Sequence, residues 1–182
     1  MGNNILVLVG SPRIKGNTDI LADEFIEGAI EGGNTVTKIH LGQNKINGCL
    51  GCDKCNKDGQ CIQKDDMNKV YDTYKKANII VFASPLYYWN FTSQMKAVID
   101  RFYAMGSSLE GKKIKKSCVL LVTAADNDED TFKQITSYYE ANMIKFMKWE
   151  DKGRLLVGGV SDKGDIKSAK GLKEARIIGL QI

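Results

Sequence analysis

Only two prolines and one histidine occur among the 182 residues, and no segment is of low complexity. This composition excludes extended disorder away from the ends. Long apolar runs are missing too. The first, Ile5 to Val9, is too short for a membrane span or signal peptide and has no basic stretch before it, so cytoplasmic residence and no membrane partner are expected. No stripe of basic residues interleaved with aromatics is present, which argues against a nucleic-acid partner. Lysines are spread along the chain. Their one dense run, Lys112, Lys113, Lys115 and Lys116, reads as a solvated turn before a strand. The net charge of +4 is a mild excess that suits an anionic cofactor. No nicotinamide-binding fingerprint of the G-x-G-x-x-G kind occurs.

With 43% hydrophobic and 26% charged residues, the sequence has a soluble globular composition. Its length fits a single domain over residues 1–182. Apolar, β-branched runs recur at residues 5–9, 35–39, 79–83, 119–123 and 155–160, and the first, third and fourth are continuous enough for strands buried on both faces. Helical spacing separates them. Five helices are predicted, around Ile20–Ile30, Met67–Tyr74, Met95–Phe102, Phe132–Phe146 and Leu172–Gly179. Alternation of this kind predicts right-handed βαβ crossovers and an α/β, doubly wound parallel sheet between two helical layers. Five strands ending in a helix fit the flavodoxin-like order 2-1-3-4-5, which puts ligands at the carboxyl ends of the strands.

The loop after the first strand reads Gly10-Ser-Pro-Arg-Ile-Lys-Gly-Asn-Thr18. Gly16 allows a tight turn, Asn17 or Thr18 caps the helix, and the first helical amides with the Ser11 and Thr18 hydroxyls can surround a phosphate. Arg13 adds a charge-assisted contact. An ordinary capped βα turn is the plainer alternative. After the third strand, Pro85, Leu86, Tyr87, Tyr88, Trp89 and Asn90 make an aromatic loop on the same sheet edge, suited to walling a planar ring, or else belonging to a core or interface.

Five cysteines are many for this length, and Cys49, Cys52, Cys55 and Cys61 fall within thirteen residues, in a connection spanning 41–64. Gly48, Gly51 and Gly59 let that connection wrap. Three cysteines spaced by two favour an iron-sulfur cluster over zinc, and a reducing compartment disfavours disulfides. Cys118 stands apart inside a strand as a small buried residue, and His40 ends the second strand as a structural or surface group.

Together, Ser11-Pro-Arg with Gly16-Asn-Thr18, Ser84-Pro-Leu-Tyr-Tyr-Trp, and Gln94-Met-Lys-Ala-Val-Ile-Asp-Arg101 resemble the signatures of the NADPH-dependent FMN reductase family. The resemblance implies FMN phosphate on Ser11, Arg13, Asn17 and Thr18, and the isoalloxazine against Pro85 to Asn90. It also implies flavin contact from the loop at Thr123, Ala124 and Ala125, where relatives often carry glycines instead. The chemistry would then be the flavin's, with no catalytic side chain and with NAD(P)H as donor. The cysteine spacing, followed by Asp65-Asp-Met67, resembles the iron-sulfur flavoproteins of the same superfamily, and implies a four-iron 4Fe-4S cluster on Cys49, Cys52, Cys55 and Cys61.

The resulting expectation is an electron-transfer flavoprotein serving a small-molecule or protein donor and acceptor. The alternatives are a cluster-free NAD(P)H-dependent reductase of flavins, quinones or nitroaromatics, and a nonenzymatic nucleotide- or zinc-binding module. Family members pair subunits around the flavin, so a homodimer or homotetramer is expected. Lys96, Asp100 and Arg101 are read as ion pairs or subunit contacts.

Overall fold

The computed structural model describes residues 2–107 and 115–182. Five parallel strands form one sheet in the order β2-β1-β3-β4-β5: β1 Asn4–Val9, β2 Thr35–His40, β3 Ile79–Pro85, β4 Ser117–Thr123 and β5 Glu150–Val157. The crossovers carry α1 Asn17–Glu31, α2 Met67–Lys76, α3 Ser93–Arg101, α4 Tyr103–Ser107 and α5 Lys133–Tyr139, and α6 Gly171–Leu180 follows β5. Successive strand residues alternate between two cores. Ile5, Val7 and Val9 with Ile79, Val81 and Ala83 pack under α1 and α6. Leu6, Leu8, Ile80, Phe82, Leu120 and Val122 pack with Val70, Tyr74, Met95, Val98 and Ile135 from α2, α3 and α5. Burial on both faces explains why β1, β3 and β4 read as unbroken apolar runs. Helices α1 and α6 meet backbone to backbone, because Gly28 lies on the Arg176 carbonyl and Gly179 on the Phe25 carbonyl, with no room for a methyl group.

Three expectations are corrected. The fifth strand starts at Glu150, five residues before the expected 155, and stops at Val157. It is an edge strand, so Glu150, Lys152 and Arg154 face outward among fewer apolar residues, and only Leu155 and Val157 are buried. The helix expected to run through Phe146 changes to a π-helix at Glu140–Phe146.

The third correction concerns the lysine run, of which Lys112 and Lys113 lie outside the described residues. Lys116 is 5% exposed rather than solvated. Its Nζ donates to the carbonyls of Tyr74 (2.8 Å) and Ala77 (2.5 Å) at the end of α2 and lies 4.5 Å from the Tyr74 ring centroid. Those contacts are why a lysine is retained inside. Burial nevertheless pulls its pKa down to about 8. An unfolded lysine titrates near ~10.4, so above pH ~8 the unfolded chain holds a proton that the folded chain has released, and stability rises with pH in that window. We expect the wild type to gain about 2 kcal/mol relative to Lys116→Met from about pH 7.5 to about pH 9.5, measured by urea unfolding. Parallel trends in the two proteins would show that the ammonium stays charged.

Candidate functional site

The loop between β1 and α1 closes on itself before it reaches any ligand. Ser11, 4% exposed, accepts from the Arg13 amide (3.1 Å). Lys15 is held in the left-handed region at φ 53°, and its amide donates to Asp19 Oδ2 (2.7 Å). Asp19 is buried and pairs with Lys38 of β2 (2.5 Å), which also bridges to Asp23 (2.6 Å). Burial resists ionisation of Asp19, but the Lys38 hydrogen bond, the Lys15 amide and the Lys38 charge outweigh it and hold the carboxyl below its usual range. Asp19 therefore braces the strained turn. Gly16 serves a close approach, since a Cβ there would sit 3.0 Å from Arg13 Cβ.

Neither Asn17 nor Thr18 caps α1. The N-cap is Gly16, without a side-chain cap bond. Both side chains are used across the sheet edge instead. Asn17 Nδ2 donates to the Asp162 carbonyl (2.8 Å), and its Oδ1 accepts from the Gly164 amide (2.9 Å). Thr18 and Thr123 share a buried hydroxyl–hydroxyl bond of 2.6 Å. The first amides of α1 are thus left without a side-chain acceptor at a helix N-terminus, the arrangement that receives an anion.

A cavity of ≈190 Å³ opens over this loop. Ser11, Arg13, Asn17 and Thr18 line it with Pro85, Leu86, Tyr87, Thr123, Ala124 and the unanticipated pair Val160 and Ser161. A second cavity of ≈310 Å³ shares Leu86, Ala124 and Ala125 with the first and is walled by Tyr88, Trp89, Asp126 and Thr131. The end at the uncapped start of α1 therefore continues into an aromatic end. The aromatic wall is a two-residue turn in which Tyr87 and Asn90 exchange backbone hydrogen bonds of 3.0 and 3.1 Å. Tyr88 and Trp89 at its tip both have positive φ (47° and 60°), a strained choice for aromatics. Tyr88 is 93% exposed. Asn90 lines neither cavity, and its Oδ1 accepts from the Phe91 amide (2.8 Å). Buried Thr92 fixes the turn to the first loop by donating to the Gly10 carbonyl (2.8 Å).

Four thiols gather elsewhere. Cys49, Cys52, Cys55 and Cys61 line one recess together with Tyr71, Arg101 and Tyr103. Gly51 and Gly59 adopt positive φ (61° and 72°), which provides the wrapping expected of them. None of the five cysteines is in a disulfide. Among the described residues no group of three or more His, Cys, Asp or Glu converges as metal ligands. The loop is closed at its base by Asp65 and Arg101. Asp65 Oδ2 accepts from the Asn47 amide (3.0 Å) and pairs with Arg101 Nη1 (2.5 Å), which also donates to the Asn47 carbonyl (3.3 Å). Burial opposes ionisation of Asp65, yet the Arg101 hydrogen bond and two backbone amides hold it below the usual carboxylate range.

Residues outside the site fall where the sequence suggested. His40 ends β2, 4.0 Å from Asp19. Cys118 is buried in β4, where burial raises its thiol pKa to about 11. Lys96 and Asp100 form a half-exposed ion pair (2.6 Å) on α3.

A doubly wound sheet of order 2-1-3-4-5, with an uncapped helix start and an aromatic turn lining adjoining cavities, defines a flavodoxin-like α/β class. The NADPH-dependent FMN reductase family model matches residues 3–135. Among curated proteins, an iron-sulfur flavoprotein of Archaeoglobus fulgidus is 38% identical over 107 residues, which cover 58% of this chain but only 49% of that protein. An iron-sulfur flavoprotein of Methanocaldococcus jannaschii is 28% identical over 98% of this chain and 94% of its own length. Among solved structures, an NAD(P)H:quinone oxidoreductase of Methanothermobacter marburgensis superposes with a TM-score of 0.82 over 100% of this chain and 96% of its own, at 18% identity. At that identity it bears on the fold alone. The chain belongs to the NADPH-dependent FMN reductase family, and it spans about half the length of the Archaeoglobus iron-sulfur flavoprotein that it resembles.

Proposed function

We propose that residues 1–182 form one FMN-binding unit that exchanges electrons with a small-molecule or protein partner through a four-iron cluster on Cys49, Cys52, Cys55 and Cys61. The observation carrying this reading is that all four thiols line one recess with a buried cation, Arg101. The flavin side rests on the uncapped start of α1 beside the buried Ser11 and Thr18 hydroxyls, a donor set suited to a phosphate dianion. Arg13 adds charge to that end, and Asn17 secures it to the Asp162–Gly164 segment. Pro85, Leu86, Tyr87, Tyr88 and Trp89 wall the ring opposite Thr123 and Ala124. When bound, FMN supplies two-electron chemistry and a cluster one-electron chemistry, so the pair joins an NAD(P)H-type donor to a single-electron partner. The chain itself binds, orients and shields. A second copy of the chain covering the exposed Tyr88 and Trp89 belongs to the same reading.

A second reading, a cluster-free NAD(P)H-dependent reductase of flavins, quinones or nitroaromatics, is favoured by the lack, among the described residues, of three or more His, Cys, Asp or Glu placed to hold a metal ion. Flavin, iron and acid-labile sulfide per chain, measured on protein purified without oxygen, separate the two. About one FMN with about four irons and four sulfides is expected. FMN without iron would select the second reading.

A further inference from the structure

Arg101 has more hydrogen-bonding capacity than its fold role uses. It is 1% exposed, and Nη1 alone serves Asp65 and Asn47 at the base of the cysteine loop. Among the described residues its Nε and Nη2 are buried without a partner. A guanidinium is a fixed fork of five donors that cannot be deprotonated in a protein, so buried donors without acceptors destabilise the fold unless a ligand supplies the acceptors. Arg101 lines the same recess as the four thiols, and Cys61 is near enough to act on its charge. Below it Tyr71 holds the end of α3 by donating to the Arg101 carbonyl (3.1 Å), with the guanidinium 5.8 Å from the ring centroid.

We propose that Arg101 is a positioning residue of the cysteine recess, directing Nε and Nη2 at the anionic group that the four thiolates enclose and favouring that group's reduced form by its charge. This rests on the cluster reading above. Four thiolates around a cubane make an anion, and one-electron reduction adds one further negative charge; a desolvated cation beside it stabilises the reduced state more than the oxidised one. Asp65, in contact with the same guanidinium, offsets part of that field. The two residues must therefore act with opposite sign.

The test is a mediated dithionite titration of the intact holoprotein, purified without oxygen, followed by the cluster's optical and electron paramagnetic resonance signals, with FMN content as the check on folding. Arg101→Gln should disfavour cluster reduction at least tenfold, a fall of about 59 mV for one electron. Asp65→Asn should move the potential upward. A residue that merely closes the loop would give no opposed shifts. If Arg101→Gln fails to fold, Asp65→Asn decides alone, a raised potential supporting the proposal and an unchanged one overturning it. Unchanged potentials in both variants, with iron at the wild-type level, overturn the role of Arg101 and leave the cluster reading standing. Absence of iron from the wild type overturns both.

Discussion

Replacing Cys52 with serine is expected to abolish bound iron and acid-labile sulfide while leaving about one FMN per chain. The separation follows from where Cys52 sits. Cys52 is an exposed residue lining the recess, and it lines neither cavity over the first loop and the aromatic turn. Loss of this side chain removes one soft ligand of the proposed cluster but no packing against either core, so folding and the proposed flavin cleft are spared. A serine hydroxyl does not replace a thiolate for iron at neutral pH. Iron, sulfide and flavin assays on the two proteins, prepared side by side without oxygen, give the answer. Unchanged iron would place the metal elsewhere and return the cysteine loop to a structural role. Replacement of iron by zinc at one ion per chain, with no sulfide, would instead indicate a tetrahedral thiolate site.

Strands β1, β3 and β4 were legible because burial on both faces makes them short, unbroken apolar runs rich in β-branched residues. At the sheet's edge that signal fails. Outward-facing Glu150, Lys152 and Arg154 dilute the apolar pattern of β5, and the expected strand slid toward Gly158 and Gly159. The slip hid a piece of the site, since Val160 and Ser161 belong to the loop lining the cleft and not to a strand. The loop from Gly10 to Thr18 was legible as a strand-loop-helix with convergent donors. Its bracing by Asp19 and Lys38 was not, because Lys38 reaches the loop from β2, a contact no local spacing records. Arg101 was visible as a motif residue, but only the crossover of α3 against the loop at Asn47 shows that it turns inward while its neighbour Asp100 pairs outward with Lys96. Lys116 was misread for a related reason: its burial depends on the end of α2, some forty residues away.

Combined replacement of Arg13 and Thr18 by alanine is expected to weaken FMN binding by roughly a hundredfold to a thousandfold, on the basis of about 1.5–3 kcal/mol for a charge-assisted contact and about 1 kcal/mol for a neutral hydroxyl. The two losses differ in kind. Arg13 is exposed on the mouth of the cleft, where its Nη1 reaches the Ser161 carbonyl (3.5 Å), so its removal takes away charge with little effect on the fold. Thr18 is 2% exposed, and its removal also strips Thr123 of its hydroxyl partner at the end of β4. Riboflavin provides the control, because it carries the same ring without the phosphate. Fluorescence titration of flavin-free protein should show a large loss of affinity for FMN and a much smaller one for riboflavin, so that the preference between them collapses. Equal losses for both ligands would mean that Thr18 and Thr123 shape the ring end of the cleft. Undiminished FMN affinity would remove the anion-binding assignment of the first loop and leave the uncapped amides of α1 as an ordinary helix start.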